Sequence, residues 1–203
     1  VKTIASNPGH CLWSGIVSKE RASRVVEKLM APDMFTGWGI RTLSAENPAF
    51  NPFSYHLGSI WPHDNGIIAL GLKKYGFNEE VARVARSVFE AASYFASYRI
   101  PEVYAGIEEK PGAFPVPYIE ANVPQAWAAG SIFQLLQAIL GISADAPNNK
   151  LYINPCLPEW LPEITLRRLE VGKSKVDLKF WRQDECTYWD ASIISGDIEI
   201  DPP

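Results

Sequence analysis

Cysteine is scarce in this chain. Cys11, Cys156 and Cys186 are the only three in 203 residues, odd in number, far apart and without metal spacing. The pattern argues against a disulfide framework and fits reduced thiols in a cytoplasmic protein. Basic clusters are also missing. No run of Lys or Arg goes beyond Lys73-Lys74 and Arg167-Arg168, and 19 basic against 23 acidic residues leave a net charge of -4, so nucleic acid is not an expected partner. No apolar run reaches the roughly 18 residues that a membrane span needs, and no charged-then-apolar leader opens the chain. Of the three histidines, His56 and His63 lie seven apart without a third ligand at metal spacing, so no metal is expected. There is no P-loop, dinucleotide fingerprint or nucleophile elbow, and no cofactor is expected.

What is present is apolar and aromatic. Hydrophobic residues make up 47% of the chain, enough to bury a core in one large domain or one and a half smaller ones. The seven tryptophans fall largely in loops, where aromatic platforms for carbohydrate often sit. The chain begins at Val1 without methionine and its first residues read as the middle of something, so a fragment of a longer polypeptide is expected. The densest stretch, Asn51 to Asn65, holds Tyr55, His56, Trp61, His63 and Asp64. It has no steady apolar period and is interrupted by Pro52, Gly58 and Pro62, so it reads as a structured loop. Its side chains stack and hydrogen-bond at once, as a sugar requires; the plain alternative is a set of aromatics plugging the core.

Helical spacing follows Ser18, from Lys19 to Met30, and recurs from Asn65 to Tyr75, from Glu79 to about Ser97, and from Pro124 to Gly141. The intervening loops are long and rich in aromatics and prolines, the longest running from Arg99 to Pro124. In the segment Phe35 to Thr42, Gly37 and Gly39 flank Trp38, so that the backbone can turn tightly around a fixed indole. These helices suggest stacked helical hairpins. From Leu151 onward short alternating runs separated by Pro or Gly predict a small antiparallel sheet. The expected organisation is a mainly α domain over 1-148 and a β-rich segment over 149-203.

Several blocks occur in a familiar order. They are His10-Cys11-Leu12-Trp13-Ser14-Gly15, Gly37 to Thr42, Ser54-Tyr55-His56 through Trp61-Pro62-His63-Asp64-Asn65, Arg99-Ile100-Pro101-Glu102, Pro115-Val116-Pro117-Tyr118 and Pro124-Gln125-Ala126-Trp127. Together they resemble the amylo-α-1,6-glucosidase, or glycogen-debranching-like, family of glycoside hydrolases over roughly residues 5 to 170. The resemblance implies an (α/α)6 toroid, of which four to five helices with long loops would make the C-terminal part. It also implies hydrolysis of α-glucosidic bonds in an α-glucan or small glucoside. A catalytically silent carbohydrate-binding or assembly module, or a toroid hydrolase of trehalose or mannosyl-glycerate, are the alternatives. A homodimer through exposed helix faces of the incomplete ring is the partner expectation.

Glycoside hydrolysis uses two carboxyl groups flanking the scissile bond, one neutral and one ionised. By resemblance Glu102 is the general base that activates water; read alone, it could be a solvated loop glutamate. The general acid of the related enzymes has no matching block here and is expected outside this chain. Asp64 is either a helix cap or a ligand of sugar hydroxyls. Trp38, Trp61 and Trp127 could stack on sugar faces or fill the core. Arg41 could fork to hydroxyls or pair with Glu46 or Asp64. Tyr55, His56, His63 and Gln125 complete the candidate binding set.

Overall fold

The computed structural model describes residues 3–201. Five α-helices come first: α1 (Pro8–Ser14), α2 (Lys19–Leu29), α3 (Pro62–Lys74), α4 (Asn78–Ser93) and α5 (Ala126–Leu140). Six strands follow: β1 (Ile142–Asp145), β2 (Lys150–Ile153), β3 (Glu163–Val171), β4 (Ser174–Gln183), β5 (Cys186–Ser195) and β6 (Glu199–Asp201). The chain separates into two compact units, with the division between Leu135 and Leu136 inside α5.

In the first unit α3 is the central helix, packed by α1 and by α4. Its buried positions, among them Asp64, Asn65, Gly66, Ile68, Ala69, Gly71 and Leu72, go round the helix instead of forming one stripe, as expected for a helix enclosed on several sides. Gly71 lets α1 come close. A Cβ there would stand 2.6 Å from the Trp13 nitrogen and 2.8 Å from the Leu12 Cβ. By contrast α2 and α4 are amphipathic. Ala22, Val26 and Leu29 are buried on α2, whose Ser18 side chain accepts the Arg21 N–H, and Val81, Val84, Ala85 and Val88 are among those buried on α4.

The two long connections, residues 30–61 and 94–125, carry no α-helix. Their backbone groups meet one another in single antiparallel bridges: Phe35 with Ile40, Arg41 with Ile60, Ile60 with Tyr104, and Tyr104 with Pro117. The Ile60 N–H donates to the Tyr104 carbonyl at 2.9 Å and the Tyr104 N–H donates back at 3.1 Å. Both residues are fully buried. The amide of Asn65 fixes the same region to α3. It accepts from the Ile40 N–H at 2.7 Å and donates to the carbonyls of Ile40 and Trp61 at 3.1 and 3.0 Å.

The second unit holds two three-stranded sheets. In one, β2 lies between β1, antiparallel to it, and β6, parallel to it; the other is the antiparallel meander β3-β4-β5. Val176, Leu178 and Phe180 are buried on one face of β4. The β4–β5 turn has positive φ at Asp184 and Glu185, 49° and 66°, the conformation of a tight hairpin turn.

Two expectations are corrected. The partial (α/α)6 toroid is not what the chain builds: the described residues make five α-helices and two small sheets, although helices do precede strands. Instead of helix pairs around a ring, α3 is packed by both α1 and α4, and the connections 30–61 and 94–125 are joined to each other through the Ile60–Tyr104 bridge. The single small antiparallel sheet becomes two, one with a parallel pair, because β1 and β6 supply edges that lack a strong alternating pattern. At a finer level, the stretch to Asn65 is not all loop. Pro62 occupies the first turn of α3, where a proline without an N–H is well tolerated.

Gly106 marks how closely the connections approach, since a Cβ there would stand 1.7 Å from the Gly58 carbonyl oxygen and 2.8 Å from its carbon. Backbone cannot yield as a side chain can. Gly106→Ala is therefore expected to destabilise the protein by about 3 kcal/mol or more, read as a lower urea midpoint at unchanged slope.

Candidate active site

The shared bridge at Ile60 and Tyr104 determines where the reactive side chains stand. Trp61, His63 and Asp64 follow Ile60 directly into α3, and Glu102 lies two residues before Tyr104. Tyr55 joins the two groups. Its hydroxyl donates to Glu102 Oε1 at 2.8 Å, and its ring meets Trp61 edge-on with centroids 4.6 Å apart.

Glu102 is only 6% exposed. Burial alone would push its carboxyl toward the neutral form, but that effect is outweighed by hydrogen bonds from Tyr55, from the backbone and side chain of Asn122 and from Gln125, and its pKa falls below the ordinary value. Asn122 reaches Oε2 through its backbone N–H at 3.4 Å and its side-chain amide at 3.3 Å, while the Glu102 N–H donates to the Asn122 carbonyl at 3.0 Å. The same bond to Glu102 raises the pKa of Tyr55, so the phenol remains a donor. The result is an ionised carboxylate held in place beside an aromatic wall, able to accept a proton from water.

That wall is continuous. Trp61 stacks on His56 with centroids 5.4 Å apart and planes 7° from parallel, and it meets Trp127 edge-on at 5.8 Å. His63 stacks on Trp127 at 4.0 Å and 5°. The Trp61 indole N–H donates to the Tyr55 carbonyl at 2.9 Å, which fixes the ring. Desolvation lowers the pKa of His63, leaving its ring neutral near pH 7. Asp64 is 7% exposed, and its Oδ1 lies 2.5 Å from His10 Nε2. The hydrogen bond with Asp64 raises the pKa of His10 against the opposing effect of partial burial. Ser6, Asn7, His10, Thr42, His56, Trp61, His63, Asp64 and Trp127 surround a cavity of about 370 Å³, within the size range of small-ligand sites.

The structure thus gathers Glu102, Tyr55, His56, Trp61, His63, Asp64, Gln125 and Trp127. It places two candidates elsewhere. Trp38 packs in the core with Ile60, Ala91 and Tyr104, its carbonyl accepting the Tyr104 hydroxyl at 2.8 Å. Arg41, 3% exposed, gives its guanidinium to the carbonyls of Gly106, Asp33 and Pro32 at 2.8, 2.9 and 3.3 Å, and Glu108 stands 3.9 Å away. Asp64 does not cap α3, where Trp61 is the capping residue and makes no side-chain cap bond. His10 and Asn122 enter the site without having been singled out. His10 stood in the first of the motif blocks, a signal that it belonged with the others; Asn122 lies in a proline-rich loop where nothing in the spacing marks it.

Residues 9–109 match the family model described as the mannosylglycerate hydrolase MGH1-like glycoside hydrolase domain. That segment is similar to a glycoside hydrolase domain. It contains His10, Tyr55, Trp61, His63, Asp64 and Glu102, and it ends before Asn122, Gln125 and Trp127. Mannosylglycerate hydrolases MGH1 and MGH2 of Selaginella moellendorffii are each 33% identical over 79 residues, which is 39% of this chain and 16% of either relative. The chain therefore matches only a small part of these relatives' length. The crystal structure of an uncharacterized conserved protein from Thermus thermophilus superposes with a TM-score of 0.54 at 17% identity, covering 68% of this chain and 31% of that one, a likeness of fold alone. These matches support a glycoside hydrolase in general, without the debranching specificity that the motif blocks suggested.

The raised pKa of His10 gives a stability prediction with a definite sign. A raised folded value contributes stability that is complete below the unfolded value, near 6.5, and is lost as pH rises through the folded value. Wild type should therefore melt above His10→Gln at about pH 5.5, with the gap closing on the alkaline side of neutrality. The depressed Glu102 carboxyl acts in a separate window, its contribution persisting above the ordinary carboxyl value and disappearing as pH falls through the lower folded one. A gap that widened with rising pH would show that the His10–Asp64 pair does not form.

Proposed function

We propose that the protein carrying this chain is a glycoside hydrolase in which Glu102 is the general base. The carrying observation is a buried carboxylate kept ionised by Tyr55, Asn122 and Gln125 beside an aromatic wall. In this reading the apolar face of a sugar ring lies on the Trp61–Trp127 wall, and Asp64 and His63 take its hydroxyls. Water standing between the anomeric carbon and Glu102 loses a proton to the carboxylate as its oxygen attacks. The leaving oxygen receives its proton from a general acid supplied outside this chain, and the configuration inverts. No group of the chain is covalently modified.

The names of the Selaginella relatives favour a small mannosyl-glycerate-type glycoside over a branched α-glucan. The compact cavity supports that choice. A panel of α-mannosyl-glycerate, trehalose and a branched limit dextrin, tested on the full-length protein, separates the substrates. Hydrolysis of the dextrin alone would restore the debranching reading.

Glu102→Gln is expected to lower kcat by about 10³-fold while sugar binding persists; wild-type activity in that variant would remove Glu102 from the mechanism. Tyr55→Phe tests the support beneath it. Losing the phenol donor raises the Glu102 pKa, so the acid limb of the pH–rate profile should move to higher pH, with an unmoved limb contradicting the role assigned to Tyr55.

A further inference from the structure

Asp64 lies in the first turn of α3, yet its Oδ2 is buried without a hydrogen-bond partner. Its neighbour His63 has a buried Nδ1 that is equally bare. Both residues line the cavity of about 370 Å³, together with the hydroxyl-bearing Ser6 and Thr42. Buried polar atoms are normally satisfied, and each exception asks for an explanation. Two in adjacent residues of one cavity point to a ligand that completes them.

The chemistry of the two atoms narrows what that ligand is. A carboxylate oxygen only accepts, whereas a neutral imidazole nitrogen either donates or accepts according to its tautomer. A hydroxyl can donate to the first and satisfy the second in either tautomer; a carboxylate or phosphate would set its charge against Asp64. His10 supplies the remaining element. Its Nε2 holds Asp64 Oδ1 at 2.5 Å, which ties up one oxygen and fixes the plane of the carboxylate.

We propose that Asp64 Oδ2 and His63 Nδ1 form a clamp that reads one pyranose hydroxyl, or an adjacent pair, and that His10 is its positioning residue. The proposal rests on the reading that this wall holds a sugar. His10 never needs to touch the ligand. Without it the Asp64 side chain gains rotational freedom, and the clamp loses its ability to tell a hydroxyl from a hydrogen. A site built around a substrate hydroxyl discriminates strongly against the analogue that lacks it, because its own polar atoms are then left bare.

The test uses the full-length protein carrying Glu102→Gln, so that sugars bind without turnover. Methyl α-D-mannopyranoside, methyl α-D-glucopyranoside and their monodeoxy derivatives are titrated by calorimetry. Removal of one particular hydroxyl should weaken binding by about 30-fold. In His10→Ala that penalty should shrink to about threefold or less, while His10→Gln, which keeps an N–H donor toward Oδ1, should retain most of it. A deoxy profile in His10→Ala equal to that of the parent overturns the proposal, as does a failure of every sugar to bind. Hydrolysis by the Glu102 protein is measured separately. If it is absent while the hydroxyl penalty and its loss in His10→Ala are seen, the hydrolase reading falls and the clamp stands; if it is present with a flat deoxy profile, the clamp falls alone.

Discussion

Two backbone hydrogen bonds between Ile60 and Tyr104 connect everything that matters at the site. They join the segment that begins α3 to the segment that carries the candidate base, at a point sealed from water. Among the described residues, neither segment belongs to a sheet that could supply other contacts of the kind. Ile60 is also bridged to Arg41, and Tyr104 to Pro117, so one buried pair serves four segments. Asn65 then anchors the first of them to the helix through its amide. A long connection fastened in this way keeps candidate catalytic side chains on loops while tying those loops to one another and to α3.

The charged groups divide according to their surroundings. Arg41 gives its guanidinium to backbone carbonyls and braces the loops, a use suited to a planar fork of donors. Glu102 is surrounded by neutral donors, which stabilise the anion without neutralising it. Asp64 has one histidine partner and one bare oxygen. Leaving a buried polar atom unsatisfied costs about 1–3 kcal/mol, a penalty that a ligand hydroxyl relieves. The three residues show why burial by itself does not identify function: the decisive feature is which lone pairs and N–H groups remain unspent.

Much of this was legible in the residues. The helices around Val26 and Val88 follow the apolar period, and the alternation of Val176, Leu178 and Phe180 marks β4 with its buried face. The density of aromatics and polar groups between Tyr55 and Asp64 pointed to the region where the structure assembles its aromatic wall. Other features depend on contacts distant in sequence. Trp38 and Arg41 have the chemistry of ligand-binding residues, but the bridge at Ile60 and Tyr104 turns them into core and loop support. His10 meets Asp64 across 54 positions, and Asn122 meets Glu102 across 20, separations at which no period or spacing operates. The ring architecture was inferred from resemblance alone, and local pattern had no means of excluding it.

The central claim is that Glu102 acts as a base on water, and the stereochemistry of the first product addresses it directly. Proton NMR of the full-length protein hydrolysing an α-glycoside, recorded before mutarotation, reports the anomer as it is released. A base-activated water gives the β sugar, with the α form growing in only by mutarotation. Initial release of the α sugar would mean that the carboxylate attacks the sugar itself, and would contradict the role assigned to Glu102.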